Sequence, residues 1–418
     1  MRARANSGRV ALATLERPAF TGLLKQPCRC RIRLNLLAAA AALAALLAIA
    51  APAFAAPPFT WAIIGDGSEH AAAERAAGVT ARVVRISWKD FAPARGGENR
   101  PYVAEKRREF DQLHAAGFQV IVDLGLQDTP PWLHRDGDDS RYVDQFGEPY
   151  APGEVDSGDA NLVFNDTVRA DAAAYIAQLL ADLGPRIDMI RVGGGHWGEL
   201  TYPAHRYGGH DNCYWAFDRA ALRTNPVPAW RPGQPSPHGE AGRFAEWYLD
   251  QLAAYQNWQI RTVRHGFAGP IIVLYPSWGI RPGQLESAVR GNLSGATSAE
   301  RNGEVPRGFG FERQVRSIAD ANVIVASTWL DADGSGDAGP DPQRWSPIHY
   351  LSTLAAAHVP PLRTFGENTG HGSPAAMRFT AAQAKRYGLC GVAWFREDEL
   401  GTPGLATLAD YAAVIAGR

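Results

Sequence analysis

The chain has 418 residues, 46% hydrophobic and 20% charged, which is ordinary globular composition and length enough for one barrel-sized domain with extended loops. Arg29, Arg31 and Arg33 precede an apolar run from Leu36 to Ala50 that ends in Pro52-Ala53-Phe54-Ala55-Ala56. That is the pattern of a secretory signal cleaved after Ala55, and the run is shorter than a comfortable membrane span. Removing residues 1–55 takes eight basic and one acidic side chain from totals of 42 and 43, leaving 34 against 42, net −8. This balance excludes nucleic acid and anionic membrane as expected partners, and it suits a secreted or periplasmic protein acting on a neutral substrate. Two cysteines remain after cleavage, Cys213 and Cys390, either bridged or buried as free thiols.

From Phe59 onward, short β-type runs alternate with helical stretches. Phe59–Ile64 precedes an Ala-rich helix around Glu69–Ala77. Arg82–Ser87 is followed by a helix over Ala104–Ala116, stopped by Gly117. Gln119–Leu124 leads through a long loop to a helix opened by Asp166 as cap or first turn and ending near Leu183. Asp188–Val192 runs into Gly193-Gly194-Gly195. Residues 201–240 after it show no period and are rich in Pro, Tyr, Trp and His, a length of loop that is more often functional than not. An amphipathic helix over Ala241–Arg264 leads to Pro270–Tyr275, and a helix over Phe311–Ile318 leads to Asn322–Ala326. Asp331, Asp333 and Asp337 faintly suggest a calcium loop, but no acid closes the pattern, so a turn is expected. Helix Pro347–Ala357, strand Leu362–Phe365, helix Pro374–Tyr387, strand Cys390–Phe395 and helix Leu405–Ala416 complete the chain. Eight strands alternating with helices predict a single (β/α)8 barrel over residues 56–418. No glycine-rich phosphate loop follows the first strand, which weakens an open dinucleotide-binding sheet, and no cofactor is expected.

In such a barrel, chemistry sits at the carboxyl ends of the strands. Tryptophans cluster there: Trp88, Trp132, Trp197, Trp278, Trp329 and Trp394. Aromatic faces suit the C–H faces of sugar rings, and about half of these are expected to be core instead. Asp123, His196, Tyr202, Asn368 and Arg396 add polar groups to the same predicted rim. Two glutamates stand out. Glu199 follows the fourth strand and Glu367 follows the seventh, on opposite sides of the mouth, an arrangement that can flank one glycosidic bond. Trp197 and His196 give Glu199 the less polar setting of a general acid, while Asn368 beside Glu367 is expected to favour the ionised form. Serine and thiol hydrolase readings lack a Gly-x-Ser-x-Gly elbow or an activated cysteine. No metal is expected: His205, His210 and Asp211 are near one another in sequence, but no His-Glu-x-x-His pair occurs.

At these residues the chain resembles glycoside hydrolase family 14, the β-amylases. That family has Gly-Glu-Leu-Arg-Tyr-Pro where this chain has Gly198-Glu199-Leu200-Thr201-Tyr202-Pro203. It has Gly-Glu-Asn where Gly366-Glu367-Asn368 stands, and a Tyr-Leu-Arg similar to Trp394-Phe395-Arg396. The resemblance implies Glu199 as general acid and Glu367 as general base of an inverting glycoside hydrolase. There are departures. Arg85 falls where the family has a sugar-holding aspartate, residues 127–132 replace its glycine-rich lid, Thr201 replaces the motif arginine, and Thr369-Gly370-His371 follows Gly-Glu-Asn. Pro130–Leu133 and Val143–Gly147 look instead like the retaining family 42 β-galactosidases, although Gly198 stands where those have Asn. A retaining β-glycosidase with Glu367 as nucleophile and a non-catalytic carbohydrate-binding barrel are the alternatives.

Overall fold

Runs such as Val-Val and Ile-Ile-Val-Leu are buried on both faces only when helices cover a parallel sheet. The computed structural model, which describes residues 58–134, 140–153 and 157–417, has that form. Among the described residues the parallel strands are β1 (Thr60–Ile64), β2 (Ala81–Arg85), β3 (Gln119–Asp123), β4 (Met189–Val192), β5 (Ile271–Tyr275), β6 (Val323–Ser327), β7 (Arg363–Glu367) and β8 (Gly391–Phe395). They close in sequence order into a barrel, with β8 pairing β1. The strands therefore fall where the sequence predicts them. The signal-peptide expectation lies outside the described residues. No helix among the described residues is long and apolar enough to cross a membrane.

The covering helices are α1 (Ala71–Ala76), α2 (Arg100–Ala115), α3 (Asp166–Leu183), α4 (Glu240–Arg264), α5 (Phe311–Arg316), α6 (Pro347–Ala357), α7 (Pro374–Arg386) and α8 (Leu408–Ile415). Local chemistry sets their starts. The side chains of Asn99, Ser346 and Ser373 accept backbone N–H groups of the first turns of α2, α6 and α7, each with proline in that turn. Thr407 and Asp410 form a capping box on α8. Asn165 caps α3 through Thr167 N and Val168 N, which leaves Asp166 in the first turn.

The pleat divides each strand between two environments. Ala62, Val83, Ile121, Met189, Ile272, Leu274, Ile324, Ala326, Phe365 and Ala393, alternate residues of the strands, pack together as the barrel interior. Continuing those rows by two positions gives Arg85, Asp123, Arg191, Glu367 and Phe395, all of which line one cleft at the carboxyl ends of the strands. The opposite face meets the helices. There Tyr411 of α8 donates to Ala62 O at 2.9 Å, and Tyr175 of α3 donates to Ile86 O and Leu124 O, each at 2.8 Å.

Arg82 also points outward, fully buried, with Nη1 on Glu74 of α1 at 2.5 Å and Nη2 on Glu397 at 2.9 Å. Arg82→Met should destabilise the protein by roughly 3–5 kcal/mol, because it strands two carboxylates, that of Glu74 fully buried, which no other ion pair among the described residues neutralises. Denaturant unfolding at pH 8 checks this. A loss under 1 kcal/mol would mean that the network contributes nothing.

The long segment after β4 turns out to be structural. Within residues 201–240, Tyr202, Tyr214, Phe217 and Trp230 are buried against Phe244 and Tyr248 of α4, and Trp215 is buried against Tyr150 and Tyr207. This aromatic layer replaces helical period with irregular packing, so no period shows in the sequence. Cys213 and Cys390 are both free thiols.

Candidate active site

The loop that carries Glu199 is built by its glycines. After β4 the chain doubles back: Gly194 N donates to Gly198 O at 3.1 Å, and Gly195 N donates to Glu199 O at 2.8 Å. A Cβ at Gly193 would stand 2.2 Å from Gly198 O, and one at Gly195 would stand 2.4 Å from Thr201 O. Only glycine permits that approach. Gln259 of α4 fixes the turn, its Oε1 accepting from Gly193 N and its Nε2 donating to Gly193 O. Leu200 N then donates to Leu274 O at 3.0 Å, which carries the segment across the end of β5. Glu199 thus sits on this return segment and not on a strand end, whereas Glu367 is the last residue of β7.

The two carboxyls have different partners. Thr328, just past β6, donates its hydroxyl to Glu199 Oε1 at 2.6 Å. Arg191 of β4 reaches across the mouth, with Nη2 2.7 Å from Glu367 Oε2. Burial raises the pKa of Glu199, opposed by the charges of Arg307 and Arg191 and by the Thr328 hydroxyl. Burial also lifts Glu367, to about 7, against the pull of Arg191 and helped by the charges of Glu199 and Asp123. The expectation that Asn368 keeps Glu367 ionised is corrected here. Its side chain is turned to the Phe395 backbone, donating to Phe395 O and accepting from Phe395 N, both at 2.7 Å, so it braces β7 to β8. Arg191, not singled out in the sequence, is the direct partner of Glu367.

The cleft holds about 740 Å3. Of the residues expected to bind substrate, Asp123, Trp197 and Arg396 line it, together with Glu367. Trp197 is 58% exposed, and its indole N–H donates to Nε2 of His196. His196 is half-buried, and burial with the nearby Arg307 charge pushes its pKa down to about 4, so it is neutral near pH 7. Asp123 Oδ1 accepts from Gly125 N at 2.9 Å. Glu199 is half-buried and, like His196 and the half-buried Trp329, lies outside the cleft lining.

Three expected rim aromatics, Trp88, Tyr202 and Trp394, belong to the core instead, and a fourth, Trp132, is half-buried against it. Trp88 is fully buried, stacked on Tyr175 and edge-on to Trp132. Trp132 turns its indole N–H to Ala92 O at 2.7 Å, away from the cleft. Tyr202 is fully buried on Tyr248 at 4.0 Å. Trp394 is on the outward face of β8, packed towards Tyr411. A position at a strand end does not by itself tell which face a ring takes.

His205 and His210 are engaged separately, the first with Arg301 O at 3.1 Å and the second stacked on Phe146. Asp331 accepts from Thr369 N and Oγ1, and Asp337 accepts from Tyr387 Oη, so these two acids of the turn after β6 brace neighbouring loops.

No family model and no curated protein matches the chain. Solved structures with a similar fold include the catalytic domain of β-amylase from Paenibacillus polymyxa, at 16% identity and TM-score 0.64, covering 87% of this chain and 99% of that one. The β-galactosidase of the psychrophilic Marinomonas ef1 is similar at 13% identity and TM-score 0.53, covering 86% and 59%. That of the Antarctic haloarchaeon Halorubrum lacusprofundi gives 16% and 0.51, covering 86% and 58%. The chain thus spans under two thirds of these β-galactosidases. At such identities the likeness is one of fold, the (β/α)8 barrel.

Proposed function

We propose that this barrel is an exported glycoside hydrolase in which Glu199 and Glu367 act as a pair. The observation that carries the reading is two half-buried carboxyls with raised pKa at one barrel mouth, of which, among the described residues, Glu367 alone has a cation in direct contact. Their mutual repulsion favours a single shared negative charge, and Arg191 at 2.7 Å draws it to Glu367. Glu199, whose contact partner is a neutral hydroxyl, then keeps the proton for the leaving-group oxygen. Glu367 deprotonates the water that attacks the anomeric carbon. The motif resemblance to family 14 supports inversion, for which the carboxyls stand roughly 6.5–9.5 Å apart. The fold shared with β-amylase and β-galactosidases supports a carbohydrate substrate.

A screen on aryl glycosides and oligosaccharides, with Glu199→Gln and Glu367→Gln as controls, tests the reading, and NMR of the first anomer released reports its stereochemistry. Turnover unchanged in Glu367→Gln would end it. The exposed indole of Trp197 is the proposed platform for a sugar ring. Trp197→Ala should raise KM about tenfold, the loss of roughly 1.4 kcal/mol of binding, and leave the melting temperature in place. An unchanged KM would remove Trp197 from the site. Export rests on the leader pattern. Terminal sequencing of the exported protein should find Ala56 first, and an intact leader on a cell-bound protein would refute it.

A further inference from the structure

The half-buried tryptophans of this chain are of two kinds. Trp61, Trp132, Trp247, Trp258 and Trp345 rest on the apolar core. Trp278 and Trp329 do not. Among the described residues neither ring packs on a core cluster, stacks on another ring or gives its indole N–H to an acceptor. They follow β5 and β6, adjacent strands whose ends are joined by Thr328 N donating to Tyr275 O at 3.2 Å. Both lie outside the lining of the 740 Å3 cleft, on the side of the mouth where the Glu199 segment crosses β5. Trp329 is held between the two glutamates. On one side the Thr328 hydroxyl donates to Glu199 Oε1 at 2.6 Å, and on the other Leu330 N donates to Glu367 O at 2.9 Å. Its own N–H donates to Ser327 Oγ at 3.3 Å, and its carbonyl accepts from Ala332 N at 3.2 Å. Leu330 turns its side chain behind the barrel wall, to Ile348 of α6 and Ala384 of α7, while Asp331 holds Thr369 of the loop after β7. Each residue from 327 to 332 is thus tied down, and the Trp329 ring is the part left unengaged. A fixed backbone presenting a free aromatic face loses little entropy when a ligand stacks on it.

We propose that Trp329 is the platform for the leaving-group sugar, so that the substrate is an oligosaccharide and not a glycoside of a small alcohol. The cleft with Trp197 and Glu367 takes the ring whose anomeric carbon reacts. Glu199, the proton donor, stands on the Trp329 side, and the departing oxygen and the ring that carries it lie there. The role as leaving group rests on the glycosidase reading, whereas the stacking of a second sugar does not.

The test is calorimetric titration with cellobiose, maltose and lactose against glucose and galactose, in Glu367→Gln protein so that turnover is stopped. The best-bound disaccharide should bind about tenfold more tightly than its component monosaccharides. Adding Trp329→Ala should cut that advantage to under about threefold and change monosaccharide binding by less than about twofold, and Trp329→Phe should restore most of it. With Glu367 intact, Trp329→Ala should lower kcat/KM for the disaccharide about tenfold relative to that for the matching glycosyl fluoride, whose leaving group has no ring to stack. Melting temperatures report any folding defect. If the alanine variant does not fold, Trp329→Leu, which fills the space without an aromatic face, carries the same comparison. Equal losses for mono- and disaccharide put the ring on the other side of the bond and overturn the proposal. A disaccharide advantage that is absent, or that survives in Trp329→Ala, overturns it too, and hydrolysis of glycosides by the wild type would then leave the glycosidase reading standing. An advantage that depends on Trp329, with no glycoside hydrolysed, upholds the platform and overturns the enzyme reading.

Discussion

Glu367→Gln should lower turnover of every glycoside by roughly 10²–10⁴-fold, the span of a lost general base. The amide keeps the size of the side chain and a hydrogen-bond acceptor for Arg191, but it cannot take a proton from water. Glu199→Gln should lose as much on oligosaccharides, whose leaving oxygen needs protonation, and less than about tenfold on aryl glycosides with acidic phenols. This contrast separates acid from base, since a merely structural role for Glu199 would depress both substrates alike. If Glu199→Gln suppresses both substrates equally while Glu367→Gln spares the activated one, the roles are reversed.

The same substitution carries a stability signature. The Glu367 carboxyl is lifted from 4.5 to about 7 in the folded protein. Below pH 4.5 folded and unfolded chains both hold the proton, and the group costs nothing. Between 4.5 and 7 the unfolded chain ionises first, so stability falls as pH rises. Above 7 the full difference is reached, about 3 kcal/mol. Wild-type stability should therefore drop by about that much more than that of Glu367→Gln between pH 4 and pH 8. Comparing the two slopes cancels any constant cost of the amide. Parallel slopes would show that Glu367 is not held protonated by its surroundings.

Much of this was legible in the sequence because parallel strands covered by helices are written as unbroken Val and Ile runs. Strands β2, β3, β5 and β6 needed no more than that, whereas β7, Arg-Thr-Phe-Gly-Glu, has neither residue, and its place comes from the alternation of strands with helices. The site was legible in part. Alternation gives the inward row from a known inward residue: Phe365 points in, so Glu367 does, and Met189 points in, so Arg191 does. That rule would have found Arg191 and would have turned Trp394, the neighbour of inward Ala393, to the outside. Trp88 and Tyr202 lie beyond strand ends, where alternation no longer applies, and their rings took the apolar side. Other contacts have no local signal. Arg307 reaches Glu199 from far along the chain, while its carbonyl oxygen accepts from Tyr202 N at 3.1 Å. It supplies a cation near the motif position where Thr201 stands. Thr328 and Glu199 likewise meet only because the loops after β4 and β6 converge over β5.

Arg191→Met should move the acid limb of the kcat/KM profile upward by roughly 1–3 pH units. The sign follows from the pairing. Arg191 stabilises ionised Glu367 from 2.7 Å, and it also lowers the Glu199 pKa. Without it, burial and the remaining negative charges act on Glu367 unopposed at contact range, and the base holds its proton to higher pH. Activity at pH 6 should then fall by about 10–10³-fold, with partial recovery towards pH 9, where the base ionises. Arg191→Lys keeps a charge but loses the planar fork, so its limb should lie between those of wild type and Arg191→Met. A positioning role predicts this ordering of the three profiles. Loss of a structural prop alone predicts uniform loss at all pH values, with no rescue by lysine. Arg191→Met also removes the buried Nε, which has no hydrogen-bond partner, so the variant sheds one unfavourable group as it loses the pair. Its melting temperature at pH 5, where Glu367 is protonated, should therefore change little. A profile superimposable on wild type would exclude Arg191 from setting the charge of the pair.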